Sequence, residues 1–384
     1  MVLRTLDDVL RRRLATQRVT AAALPSATEV VRHLLAVQSQ DAPLAAWSLG
    51  LRSRTTTYAG VLAEQDTAGF VRIHALRPTW HFVAAQDVRW LLDLTSAKVE
   101  SSMGARHRQL ELDGAMIGRC LDAVGEMLAA GDALTRSQIG ARMARMGLPG
   151  PGERIGHVLL LAELRGLVCS GPWTHGRGVE HTYQLLDERV PPSQSARPAD
   201  REEALTWLTT RFFTGHGPAR VEDLVRWAAV TKTEVRRAIV LLGGTLDRVD
   251  VGDERLWFDP QAPPPGRRAA RAHLLPTFDE AVLTFAGATH PRASGHPRGT
   301  SRLSPAEVGG GAAIVDGRDV GVWRRTTSAR GMTVSIDLAP GGPTDVSARL
   351  AAAAERLAAF GGIPLRELRW SPGERRPAPP RQRR

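Results

Sequence analysis

Thr231-Lys232-Thr233-Glu234-Val235-Arg236-Arg237-Ala238-Ile239-Val240-Leu241-Leu242-Gly243-Gly244, followed by the runs 246–251 and 255–258, is the stretch from which the architecture is read. Thr231 and Glu234 have the spacing of a capping box, in which each side chain satisfies a backbone N–H left free at a helix start. The paired glycines stop that helix, since glycine enters the left-handed conformation without a Cβ clash. The two short runs flank Gly252-Asp253 and read as a hairpin. Upstream, residues 200–213 read as a helix, Gly217-Pro218 breaks it, and 221–229 supplies a second. Three helices and a hairpin make the winged-helix order.

The same order recurs in 111–195. Ile117, Cys120, Leu121, Val124 and Leu128 line one helical face. Thr135-Arg136-Ser137-Gln138 caps a helix that Gly147 closes, 153–165 is a third, and strands at 167–170 and 181–186 flank a wing tip at 171–178. In 1–110 the order is less regular, with helices between Thr5 and Gln65, strand material at 70–83 and a connecting helix at 87–100. Beyond a Pro-rich linker at 261–266, strands are expected at 273–285, 312–323 and 332–338, with Asp316-Gly317 as a hairpin turn and an amphipathic helix at 345–360 closing the fold. The expected class is α+β, mainly helical. It comprises three tandem winged-helix modules (1–110, 111–195, 196–262), a C-terminal β-rich segment with a closing helix (267–370) and a basic tail at 371–384 whose Pro and Arg predict disorder.

The net charge of +11 favours a polyanionic partner, because cationic side chains displace counterions condensed on phosphates. The tail supplies +4 of it and the rest of the chain +7. All but two of the 51 basic residues are Arg, so a general arginine habit is the competing account. Lys98 and Lys232 are the only side-chain amines, which disfavours Schiff-base chemistry. Cys120 and Cys169 are too few for a disulfide framework or a zinc site, and the pair Asp279-Glu280 lacks a histidine partner, so neither metal nor cofactor is expected. No apolar run reaches the ~18 residues of a membrane span, and the N-terminus, with Asp7 and Asp8 among arginines, does not read as a signal peptide. These features predict a cytoplasmic, nucleoid-associated and monomeric protein.

The chemistry concentrates in 26–43. Ser26-Ala27-Thr28-Glu29 reads as another capping box, Val31, Leu34 and Leu35 mark the apolar stripe, and the position seven beyond Val31 is Gln38. The helix is thus expected to reach Gln38, with Gln40 just ahead of Pro43, which limits further helix. A buried amide costs a few kcal/mol unless its donor and acceptor are both used. Gln38 and Gln40 either tie a helix end to a neighbouring strand or face solvent in an electropositive groove and orient a reactant.

The run 35–41, then Leu76-Arg77-Pro78-Thr79-Trp80-His81-Phe82-Val83 with Asp87, Glu163 to Pro172, Gly215-His216-Gly217-Pro218-Ala219, 274–280, 315–318 and 321–323 together resemble the AlkZ/YcaQ-type tandem winged-helix family. The resemblance implies a monofunctional DNA glycosylase that excises bulky or cross-linking alkylated purines from double-stranded DNA, with Gln38 and Gln40 as the catalytic pair. Ser39 departs from the apolar or aromatic residue usual between them. Asp41 either assists electrostatically or caps the junction. Candidate DNA contacts are Arg77, Thr79 and His81 near the pair (His81 alternatively completing the core beside Trp80), Lys232, Arg236 and Arg237 on a recognition helix, and Arg292 and Arg298 in a Gly/Pro/Arg-rich loop. The alternative function is a non-enzymatic DNA-binding regulator.

Overall fold

The computed structural model describes residues 3–174, 180–264, 266, 271–286, 309–339 and 346–371. Its first segment contains α1 (Leu6–Thr16), α2 (Ala27–Leu34), β1 (Ala36–Gln38), α3 (Ala42–Arg52), α4 (Tyr58–Asp66), β2 (Phe70–His74), β3 (Trp80–Ala84), α5 (Val88–Ser102) and α6 (Gly104–Gln109). The second contains α7 (Gly114–Leu128), β4 (Leu134–Thr135), α8 (Arg136–Arg145), α9 (Glu153–Leu164), β5 (Val168–Ser170), β6 (Thr182–Leu185) and α10 (Leu186–Arg189). The third contains α11 (Arg201–His216), α12 (Val221–Ala228), α13 (Lys232–Leu241), β7 (Asp247–Val251) and β8 (Glu254–Phe258). After it come β9 (His273–Pro276), α14 (Glu280–Leu283), β10 (Gly310–Val315), β11 (Arg318–Ser328), β12 (Gly331–Leu338), α15 (Ser347–Phe360) and β13 (Leu365–Ser371). The chain is a mixed helix-and-strand protein. Capping boxes at Thr231/Glu234 and Thr135/Gln138 close with both reciprocal bonds.

Three expectations need correction. The helix from Ser26 stops at Leu34, because Leu35 turns to φ +67° and sends Ala36–Gln38 into a strand on β3. Pro43 accordingly begins a helix, α3, where its missing N–H costs no ladder bond. The 273–285 run is a strand only to Pro276, after which Asp279 caps the short α14. The C-terminal helix does not close the fold, since β13 follows it and joins the sheet parallel to β12. Ser371 ends β13, and the rest of the tail lies outside the described residues, as does the second half (175–178) of the expected wing tip at 171–178.

The sheets are β1-β3-β2, β4-β6-β5, β7-β8 and the five-stranded β13-β12-β11-β10-β9. One apolar core joins α2, α3 and Phe82 to the five-stranded sheet and α15. Another joins the opposite face of β1-β3-β2 and α5 to α11, α12 and α13. A third lies within the second segment. The strand bearing Gln38 is thus wedged between two cores. Gly215 allows the approach of α11 to α2, where a Cβ would meet the His33 carbonyl oxygen at 2.6 Å. Among the described residues no helix is long and apolar enough to cross a membrane.

Candidate active site

β1 pairs with β3 so that Gln38 lies opposite His81 and Val37 opposite Phe82. Alternation along an extended chain sends Val37 and Ser39 to one face and gives Gln38 and Gln40 the spacing that shares the other. On a continued helix, residues two apart would not share a face. Burial differs sharply between the glutamines: Gln38 is 6% exposed and Gln40 is exposed. Only Gln40 fits the expectation of an amide facing solvent. Ser39 is fully buried, and its hydroxyl has no partner among the described residues. Asp41 takes the capping role, its Oδ1 accepting the Leu44 N–H at 2.9 Å.

Gln38 closes a ring of four residues drawn from distant segments. Its backbone N–H donates to Glu280 Oε1 at 2.8 Å, across 242 positions of chain. Glu280 Oε2 accepts from Trp227 Nε1 and from Thr284 Oγ1, each at 2.8 Å. The Trp227 carbonyl accepts from Arg77 Nη1 at 2.9 Å, and Arg77 Nη2 donates to Gln38 Oε1 at 2.8 Å. A guanidinium only donates, so the atom it faces is the amide oxygen and the orientation of the Gln38 side chain is settled. The Gln38 Nε2 has no partner among the described residues. Burial alone would raise the Glu280 carboxyl, but His216 (3.6 Å away), Arg77 and the Gln38 N–H outweigh it and hold the carboxyl at about 2. Asp279 anchors this end of the ring, because its carboxylate pairs with Arg52 at 2.7 Å, both side chains fully buried.

Gln40 is approached from the other face of the sheet. Arg72 Nε donates to the Ser39 carbonyl at 3.0 Å and Nη2 to the Gln40 carbonyl at 3.4 Å. Its guanidinium carbon lies 4.1 Å from the centre of the Trp80 ring. Trp80 Nε1 donates to Glu163 Oε1 at 3.3 Å, and the other Glu163 oxygen pairs with His74.

Several expected DNA contacts sit elsewhere. Arg77, half-buried, is engaged by Gln38 and Trp227. His81 is fully buried, and burial, then the charge of Arg77, lowers its ring to about 3, so it is a neutral core residue and not a phosphate ligand. Thr79 Oγ1 is buried without a partner among the described residues. On α13 Lys232 pairs with Glu222 at 2.8 Å and Arg237 with Glu202 at 3.0 Å, whereas Arg236 is exposed and has no ion pair among the described residues. Arg292 and Arg298 lie outside the described residues. Among the described residues no group of three or more His, Cys, Asp or Glu is arranged to hold a metal. A cleft of about 700 Å³ beside Trp90, Ser195 and Arg201 contains neither glutamine.

Sequence reasoning missed Glu280, Trp227, Arg72 and Glu163. Glu280 and Glu163 both fall within the runs that carry the family resemblance, whereas Arg72 and Trp227 carry no local signal.

The basic chain, a mixed helix-and-strand protein, thus holds Gln38 buried in a ring of side chains and leaves Gln40 exposed two residues on. The sequence matches the family model described as DNA glycosylase AlkZ-like over residues 31–360, and the chain belongs to that family of DNA glycosylases. Among solved structures it is similar to Streptomyces sahachiroi DNA glycosylase AlkZ, with a TM-score of 0.72 and 21% identity over 96% of this chain and 99% of that one. That likeness establishes a shared fold. No curated protein matches the sequence.

Proposed function

We propose that this chain is a monofunctional glycosylase that hydrolyses the N-glycosidic bond of N7- or N3-alkylated purines, bulky or cross-linked adducts included, in double-stranded DNA. In this reading it works as a cytoplasmic, nucleoid-associated monomer. The scaffold is read as three tandem winged helices over 1–110, 111–195 and 196–262, followed by the C-terminal segment 267–370 and the basic tail 371–384. The helix order and the hairpin β7-β8 in the third segment support that reading.

The observation that carries the mechanism is the Arg77 bond to Gln38 Oε1. It leaves the Gln38 NH2, which has no partner among the described residues, as an oriented donor. Gln40, exposed and with no side-chain bond among the described residues, keeps its side-chain amide oxygen for the attacking water. Alkylation puts positive charge on the purine, which then leaves without a strong acid. What remains for the protein is to hold water near C1′ and to meet charge developing on the sugar and phosphate. A neutral amide is a weak base, so undamaged purines are cleaved very slowly.

Incubating the protein with N7-methylguanine duplex and with duplexes bearing bulky N7 and N3 adducts, then with alkali, gives strand breaks above a Gln38→Ala/Gln40→Ala control. Absence of breaks on every adduct would count against the proposal, and a footprint at a defined undamaged sequence would favour a regulator.

A further inference from the structure

Gln40 lies one residue past the last ladder bond of its strand, in which the Ser39 N–H donates to the Trp80 carbonyl at 2.7 Å. Beyond that bond the backbone carrying the exposed amide needs another constraint. The groups that supply it come from the opposite face of the sheet and from the second segment. Arg72 is buried, and its own N–H donates to Ser170 Oγ at 2.8 Å on β5. Gln65 Nε2 donates to the same hydroxyl at 3.2 Å.

We propose that Arg72 is the positioning residue for Gln40: its guanidinium, stacked on Trp80 and fed through Glu163 from α9, clamps the carbonyls of Ser39 and Gln40 and so fixes the backbone from which the Gln40 amide projects. The inference rests on the glycosylase reading of the pair.

The residue type fits the task. Arginine presents donors in one rigid plane and stacks that plane on an aromatic face, whereas lysine offers a point charge on a flexible stem. Two carbonyls from adjacent residues are met by Nε and Nη2 of a single guanidinium. Trp80 is tied in turn by Nε1 to Glu163, a fully buried carboxylate that also holds His74. The second segment therefore reaches Gln40 through three side chains, although its own core is separate. Arg72 binds main-chain oxygen, so both ends of the Gln40 amide stay free for chemistry.

Arg72→Lys in the full chain tests this, read by single-turnover base release from an alkylated duplex in the wild-type and Gln40→Ala backgrounds. Hydrogen exchange over the peptide spanning 36–44 is measured in parallel. The expected result is a slowing of about 10- to 100-fold, the range produced by small misplacement of a reacting group. Duplex affinity stays unchanged, exchange at Ser39 accelerates, and the substitution adds no further slowing once Gln40 is alanine. The same slowing in both backgrounds, or unchanged rate and exchange, overturns the proposal. Trp80→Phe keeps a ring under the guanidinium but removes the Nε1 donor, and serves if Arg72→Lys fails to fold; it should slow release several-fold, again only when Gln40 is present. If the wild-type chain releases no base from any alkylated duplex, the glycosylase reading fails. The exchange measurement alone then decides the clamp, with unchanged exchange at Ser39 overturning it.

Discussion

Glu280→Gln exchanges one oxygen of a fully buried carboxylate for an NH2, and the surroundings accommodate neither orientation. Oε1 accepts the Gln38 N–H, and Oε2 accepts both Trp227 Nε1–H and the Thr284 hydroxyl. If the amide nitrogen faces Gln38, two N–H groups confront each other on β1. If it faces Trp227, the indole N–H loses its acceptor, since only the threonine hydroxyl can reverse its role. Either way one buried donor is stranded, at about 1–3 kcal/mol, and Arg77 and His216 lose a nearby anion. A net loss of about 2–4 kcal/mol follows. Urea unfolding followed by tryptophan fluorescence measures it, and single-turnover release on an alkylated duplex measures the displacement of Gln38. The charge adds a pH signature. A carboxyl lowered to about 2 from its ordinary 4.5 stabilises the fold fully above the ordinary value and loses that contribution as the pH falls from about 4.5 toward 2. The wild-type chain therefore softens across that window, whereas the part due to this residue is missing from Glu280→Gln. Equal urea midpoints and equal release rates in the two proteins would refute the reasoning.

Three further outcomes follow from the same geometry. Ser39→Ala removes a buried hydroxyl that has no partner among the described residues, so stability stays level or rises by up to about 1 kcal/mol with base release intact; a clear loss on thermal melting contradicts this. His81, held neutral chiefly by burial, contributes no break to the pH–rate profile between 5 and 8, and a break near 6.5 that vanishes in His81→Gln contradicts its placement in the core. Arg236→Ala weakens binding to undamaged duplex and lowers the salt slope by about 1, while Lys232→Ala does less because Lys232 is already paired with Glu222; salt titrations by fluorescence anisotropy compare the two.

Elements with local signals were legible. Capping at Thr135 and Thr231, the glycine stops and the Gly252-Asp253 turn identify the second and third segments, because each is a short-range contest that side chain and backbone settle within four residues. The end of α2 was not legible. Its apolar spacing continues to Gln38, but pairing with β3, more than forty residues away, takes 36–38 into a strand, and Leu35 accepts a positive φ to allow it. Strand β13 was hidden for the same reason, since its pairing partner β12 is separated from it by a whole helix. At the candidate site the two glutamines stand out in the local sequence and the residues that contact them do not. Nothing local to Arg77 shows that the Trp227 carbonyl lies within its reach.

The unequal burial of Gln38 and Gln40 bears on the proposed chemistry. An amide pair equally open to water would be two interchangeable groups, each free to rotate and to swap donor for acceptor. Here one amide is oriented by a cation that cannot accept, and its strand is held by an anion that, as a carboxylate, cannot donate. The charges of Arg77 and Glu280 are spent on each other's neighbourhood, leaving Gln38 with direction but no charge of its own. A site so arranged offers preorganised dipoles, which act on charge that is already developing, and offers no strong acid to a neutral base. On the glycosylase reading, selectivity then resides in the substrate: a purine that carries its own positive charge departs, and one that would need a proton from Gln38 or Gln40 stays. Glu280→Gln and Arg77→Met should therefore slow release of alkylated bases without widening the range of bases released, and release of undamaged guanine by either variant would contradict this division of labour.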